Sequence, residues 1–63
     1  MIEVKFYYIK RNGDIMQYYK YFQRADQAIR FMYKCKRSRT LIYSGEFTCS
    51  DPYEVEEINR RFK

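Results

Sequence analysis

Apolar and polar positions alternate from the first residues of this chain. Residues 2–9 and 15–22 are both rich in Tyr, Phe, Ile and Val, and a two-residue period in such residues suits strands with one covered face. Between them sits Asn12-Gly13, a pair that tolerates positive φ at both central positions of a type I′ hairpin turn. A two-residue turn there sets Val4 against Tyr21, Phe6 against Tyr19 and Tyr8 against Gln17 on one face. On the other face it sets Lys5 against Lys20, Tyr7 against Tyr18 and Ile9 against Met16. Two opposed lysines are costly to desolvate together. Ile2, Val4, Phe6, Tyr19 and Tyr21 are therefore assigned to the core face, and Lys5, Tyr7, Tyr18 and Lys20 to the exterior. A three-residue loop would shift the register and overturn this assignment.

The period then changes. Ala25, Ala28, Ile29, Met32 and Cys35 recur at three- and four-residue spacing, with Phe31 widening the arc, which predicts an amphipathic helix over about 25–36. Arg30, Lys34 and Arg37 fall on its opposite side. Lys36-Arg37-Ser38-Arg39 closes it with positive charge, which suits the negative end of the helix dipole. Residues 40–49 read as extended. Either Ser44-Gly45 is a tight turn between two short strands, or Gly45 is a bulge in one long bent strand; the hairpin is the reading adopted. Asp51-Pro52-Tyr53-Glu54 then starts a second helix, with Asp at the N-cap, Pro at the first helical position and Glu placed for a capping box. Val55, Ile58 and Phe62 form its apolar stripe, and Glu56–Arg60 and Glu57–Arg61 are spaced as i,i+4 ion pairs. The expectation is a single α+β domain over residues 1–63, in the order ββαββα. A small antiparallel sheet of three or four strands carries both helices on one face.

Composition explains how so short a chain can have a core. Sixty-three residues lie near the lower limit for folding without covalent staples. Eight Tyr and five Phe offset this, because each ring can bury roughly 150–250 Å². The start, Met1-Ile2-Glu3-Val4-Lys5-Phe6, has no apolar h-region, so no signal peptide is expected. No apolar run approaches the ~20 residues of a membrane span. Cys35 and Cys49 are expected as free buried thiols in a reducing cytoplasm, since secreted domains of this size usually carry several disulfides.

Reactive groups are scarce. There is no histidine, which removes the usual neutral-pH base, the commonest transition-metal ligand and any Ser-His or Cys-His pair. Two cysteines alone cannot close a zinc site. Cys35 has the spacing of a core residue, although Lys34 and Lys36 flank it, and Cys49 reads as packed between strand and helix. The carboxylates occupy turn, cap and salt-bridge positions, and with only Gly13 and Gly45 no glycine-rich phosphate loop exists. No catalysis, metal or cofactor is expected.

Charge points elsewhere. The net charge is +5, with ten Lys/Arg against three Asp/Glu in residues 1–43 and three against five in residues 44–63. Such asymmetry favours an acidic protein surface or a nucleic acid as partner. Two candidate surfaces follow. One is the basic run Arg30, Lys34, Lys36, Arg37 and Arg39, for which the plain alternative is a solvated helix end. The other is the hairpin exterior, Lys5, Tyr7, Tyr18 and Lys20, whose tyrosines could pack in a core, anchor a protein interface or stack unpaired bases. An unpaired sheet edge adds a homodimer as a third possibility.

The segments Ala28-Ile29-Arg30-Phe31-Met32-Tyr33, Gly45-Glu46-Phe47-Thr48-Cys49 and Asp51-Pro52-Tyr53-Glu54 resemble small uncharacterised proteins of Gram-positive bacteria and their phages, over residues 25–62. The resemblance implies an accessory protein that docks on a larger host or phage machine, and carries over no catalytic residues. The sequence reading is thus a small non-catalytic binding module, inhibiting or adapting an acidic protein partner. The alternative is a nucleic-acid-binding protein that uses the hairpin face and the same basic cluster.

Overall fold

A computed structural model describes all 63 residues. The elements run β1 (Ile2–Ile9), β2 (Ile15–Phe22), α1 (Ala25–Arg37), β3 (Leu41–Cys49) and α2 (Pro52–Arg61). The sheet is antiparallel with strand order β2-β1-β3. This is an α+β fold with three strands and two helices, one strand fewer than ββαββα.

The first hairpin departs from the two-residue turn. Gly13 N–H donates to the Lys10 carbonyl at 2.9 Å, and Lys10 N–H to the Asp14 carbonyl at 2.8 Å. Gly13 sits at φ +93°. These features describe a three-residue loop, Arg11-Asn12-Gly13, in which a tight turn is followed by a glycine bulge. Asn12 Oδ1 supports it by accepting from Asp14 N–H at 2.9 Å. The loop moves the register by one residue. Val4 now opposes Lys20, Lys5 opposes Tyr19, and Phe6 opposes Tyr18. With side chains alternating along each strand, every β2 side chain changes face relative to the expected pairing.

The missing fourth strand has a local cause. Tyr43 pairs with Phe6 and Phe47 pairs with Val4, so both halves of β3 lie on the same edge of β1 and only the register breaks between them. Lys5 therefore stands opposite Ser44, Gly45 and Glu46. Ser44 Oγ donates to the Lys5 carbonyl at 2.7 Å and accepts from Glu46 N–H at 3.2 Å, while Gly45 takes φ +89°. A hydroxyl and a glycine satisfy the interrupted ladder, and the chain bulges instead of reversing.

Both helices cover one face of the sheet, as the sequence predicts. Ile2 and Val4 from β1 meet Ala25, Ala28, Ile29, Phe31, Met32 and Cys35 from α1 and Ile58 from α2. Around them pack Phe6, Phe22, Leu41, Tyr43, Phe47 and Cys49 from the same face of the three strands. Aromatic contacts close the margin: Phe31 meets Phe6 edge-on at 5.0 Å, and Tyr43 meets Phe62 at 5.3 Å.

The helix starts divide their work in an unexpected way. Asp51 Oδ1 accepts from Tyr53 N–H at 2.9 Å and caps α2. Glu54 does not fold back to complete a capping box. Its Oε2 accepts instead from Ala25 N–H at 3.1 Å, at the start of α1, where Arg24 offers no side-chain cap. One carboxylate of α2 thus supplies negative charge to the positive end of α1. Neither helix is long and apolar enough to cross a membrane.

Candidate functional site

α1 presents Arg30, Lys34 and Arg37 at spacings of four and three residues, which brings them onto one stripe of the helix away from the core. Together with Ile29, Tyr33 and Arg61 they line an open cavity of about 510 Å³ between the helices. No carboxylate lines it. Arg61 reaches in from α2 and is already engaged: its Nη1 donates to Asp26 Oδ1 and to Glu57 Oε2. Those two bonds raise the affinity of the guanidinium for its proton. The same hydrogen bond from Arg61, followed by its charge, holds the Asp26 carboxyl below its ordinary value. Arg30, Lys34 and Arg37 form no ion pair. Tyr33 braces the floor, its hydroxyl donating to the Arg61 carbonyl at 2.8 Å. The result is a cationic stripe whose three charges form no ion pair within the molecule.

The basic run is therefore divided. Arg30, Lys34 and Arg37 act together. Lys36 turns to the other flank of α1, where its Nζ lies 5.6 Å from the Tyr33 ring and 5.3 Å from the Phe62 ring and donates to the Lys63 carbonyl. There it borders a second cavity with Cys35, Ser38, Leu41, Ile42, Tyr43 and Phe62. Arg39 is exposed in the turn between α1 and β3 and lines neither cavity. Arg61 joins the stripe from a distance in sequence. Its i,i+4 pairing with Glu57 is legible in the sequence and forms, but nothing local places it beside α1. The Glu56–Arg60 pair expected alongside it does not form.

The hairpin surface is also divided. Lys5 and Tyr7 stay on the open face, whereas Tyr18 and Lys20 lie on the helix side. Tyr18 stacks on Phe6 with centroids 5.8 Å apart. Lys20 lays its stem along the core margin and holds its Nζ 5.1 Å from the Phe31 ring and 5.8 Å from the Phe22 ring. The open face gains Tyr19 and Tyr21 in exchange, both exposed. Its one lysine is not free, because Lys5 Nζ donates to Glu46 Oε2 at 3.2 Å. That bond raises the Lys5 pKa above its usual value. Glu3 shares the face. A tyrosine platform exists, but the cations that would hold a phosphate backbone on it do not.

Both thiols are unbridged, and Cys49 is only half-buried where the sequence suggests a buried one. Cys35 is buried and free, and burial pushes its pKa up even though Lys34 and Lys20 pull the other way. A catalytic thiolate needs the opposite balance. The Cys49 thiol donates to the Asp51 carbonyl at 3.7 Å and to Glu54 Oε1 at 3.9 Å. Compared with protein-family models, with curated proteins and with solved structures, the chain matches none.

Proposed function

We propose that this chain is a small non-catalytic binding module that docks on an acidic protein surface through the stripe Arg30, Lys34 and Arg37. One observation carries the reading: three cations at helical spacing, without ion-pair partners, border an open cavity that no carboxylate lines. Charges without partners of their own give up no existing ion pair on binding and steer an acidic partner into register. The role is that of an accessory or inhibitory protein on a larger host or phage machine, working in the cytoplasm. Tyr7 and Tyr18 cannot serve one interface together, since they stand on opposite faces of the sheet. Nucleic acid is disfavoured as the partner because the tyrosine face pairs its lysine with Glu46 and also carries Glu3.

The test is affinity capture from nuclease-treated lysate, followed by titration of the captured protein. Lys34→Glu/Arg37→Glu should weaken its binding about tenfold or more, near 1.4 kcal/mol per factor of ten, while Arg39→Glu has a smaller effect. In parallel, labelled single-stranded DNA and RNA are titrated at two salt concentrations. Tight binding that falls steeply with salt, and is abolished by the same double substitution, would transfer the stripe to nucleic acid.

A further inference from the structure

β2 is an edge strand with almost no cover. Of its eight residues all but Phe22 are exposed. Five of the nine large exposed hydrophobic side chains in the molecule belong to it: Ile15, Met16, Tyr18, Tyr19 and Tyr21. Ile15 is 63% exposed and Tyr21 58%. Natural edges are blunted by proline, a bulge or charges directed along the edge. β2 has no proline, pairs with β1 without a register break, and carries a single charge, Lys20.

The hydrogen-bonding direction of this edge follows from the turn. Lys10 and Asp14 form a bonded pair, and every second residue of an antiparallel ladder bonds to the same neighbour. Met16, Tyr18, Lys20 and Phe22 therefore spend their backbone groups on β1. Ile9 N–H donating to the Thr40 carbonyl, on the β3 side, agrees with that phase. The outward-pointing N–H and C=O groups belong to Ile15, Gln17, Tyr19 and Tyr21.

We infer that β2 pairs antiparallel with β2 of a second copy, with Tyr18 on the twofold axis. In this register Ile15 faces Tyr21 of the second copy and Gln17 faces its Tyr19, so all four outward residues bond. Ile–Tyr is a favourable cross-strand combination. On the helix side, Met16 faces Lys20 of the second copy, so no like charges are opposed. Two copies can therefore approach along this edge despite the net charge of +5. Residues 12–23 hold only Asp14 and Lys20 as charged groups, and the arm is electrically neutral. The dimer is a continuous six-stranded sheet, with the cationic stripes of the two copies left free. A standard interface takes about 800 Å² per partner, roughly one-sixth of the 4885 Å² surface. Three half-exposed tyrosines contribute about 100 Å² each at most, so the pairing is reversible and concentration-dependent. It is independent of the docking role assigned to α1.

Sedimentation equilibrium of the full chain should show twice the 7.9 kDa mass at high concentration, dissociating on dilution. Ile15→Lys/Tyr21→Lys sets two lysine pairs across the axis and should weaken the dimer about tenfold or more. Ile15→Glu/Tyr21→Lys sets opposite charges there and should restore it. Tyr18→Cys should form an 18–18 disulfide between copies under mild oxidation, because an axial non-bonded pair brings its Cα atoms to about 4.5 Å. Circular dichroism checks that each variant is folded. A monomer at every concentration overturns the inference. So does a dimer indifferent to the charge pattern, or an edge occupied only by a peptide strand of another protein.

Discussion

β1 and β2 are the same length, lie side by side and draw on similar residues: Ile, Val, Phe and Tyr in IEVKFYYI, and Ile, Met, Tyr and Phe in IMQYYKYF. Their fates differ completely. Ile2 and Val4 of β1 are wholly buried, while β2 contributes only the half-buried Phe22. Position in the sheet makes the difference. β1 is central, flanked by a strand on each side, and sets Ile2 and Val4 in the core, whereas β2 is an edge with one side open. Equal hydrophobicity thus supplies a core in one strand and a contact surface in the other.

The largest test of this contrast is truncation. Ile2→Ala should cost about 2–5 kcal/mol, enough to unfold much of so small a domain. Tyr21→Ala, on the open face of β2, should shift stability by less than about 0.5 kcal/mol. Urea unfolding of dilute monomer measures both, and comparable losses would break the comparison. Next is the loop that sets which β2 residues face the helices. Gly13→Ala must place a side chain at φ +93° and should cost about 1–2 kcal/mol, read from the urea midpoint, although nothing crowds the position.

Lys20 sharpens the contrast, since it is the one charge on the inner face of β2. Lys20→Ala should lose about 0.5–1 kcal/mol through its aromatic contacts, whereas Arg39→Ala, exposed in a turn, should lose nothing measurable in the same assay. The smallest effect concerns pH. The Arg61 hydrogen bond holds the Asp26 carboxyl below its ordinary value of 3.8. A depressed folded-state pKa adds stability above the unfolded value and loses it as pH falls through the folded one. Asp26→Asn should therefore flatten the decline in stability below about pH 3.8, and leave a lower plateau near neutrality. Because the pair is exposed, the change should be slight.

Several elements are legible in the sequence alone. α1 and the Asp51 cap of α2 declare themselves because helix periodicity and capping depend on residues within a few positions of one another. The hairpin was legible too, but its loop was not. Asn12-Gly13 is compatible with a two-residue turn, and the choice of Arg11-Asn12-Gly13 is enforced by which side chains α1 can cover. Ile2, Val4, Phe6, Tyr18 and Phe22 share its face, and Lys20 is tolerated there because it stays exposed, with its ammonium near the Phe31 and Phe22 rings. Of the candidate site, the spacing of Arg30, Lys34 and Arg37 was readable. The departure of Lys36, the arrival of Arg61 and the parting of Tyr7 from Tyr18 were not, since each depends on a neighbour distant in the chain.

The sequence by itself determined the elements, their number to within one strand, the cationic stripe of α1 and the scarcity of reactive groups, all set by short-range periodicity and composition. Only the tertiary structure decided strand register, the single bulged β3, the lending of Glu54 to α1 and the exposure of β2. Those outcomes turn on which surfaces can be buried together, and a one-residue slip in a ladder with alternating side chains changes every face at once.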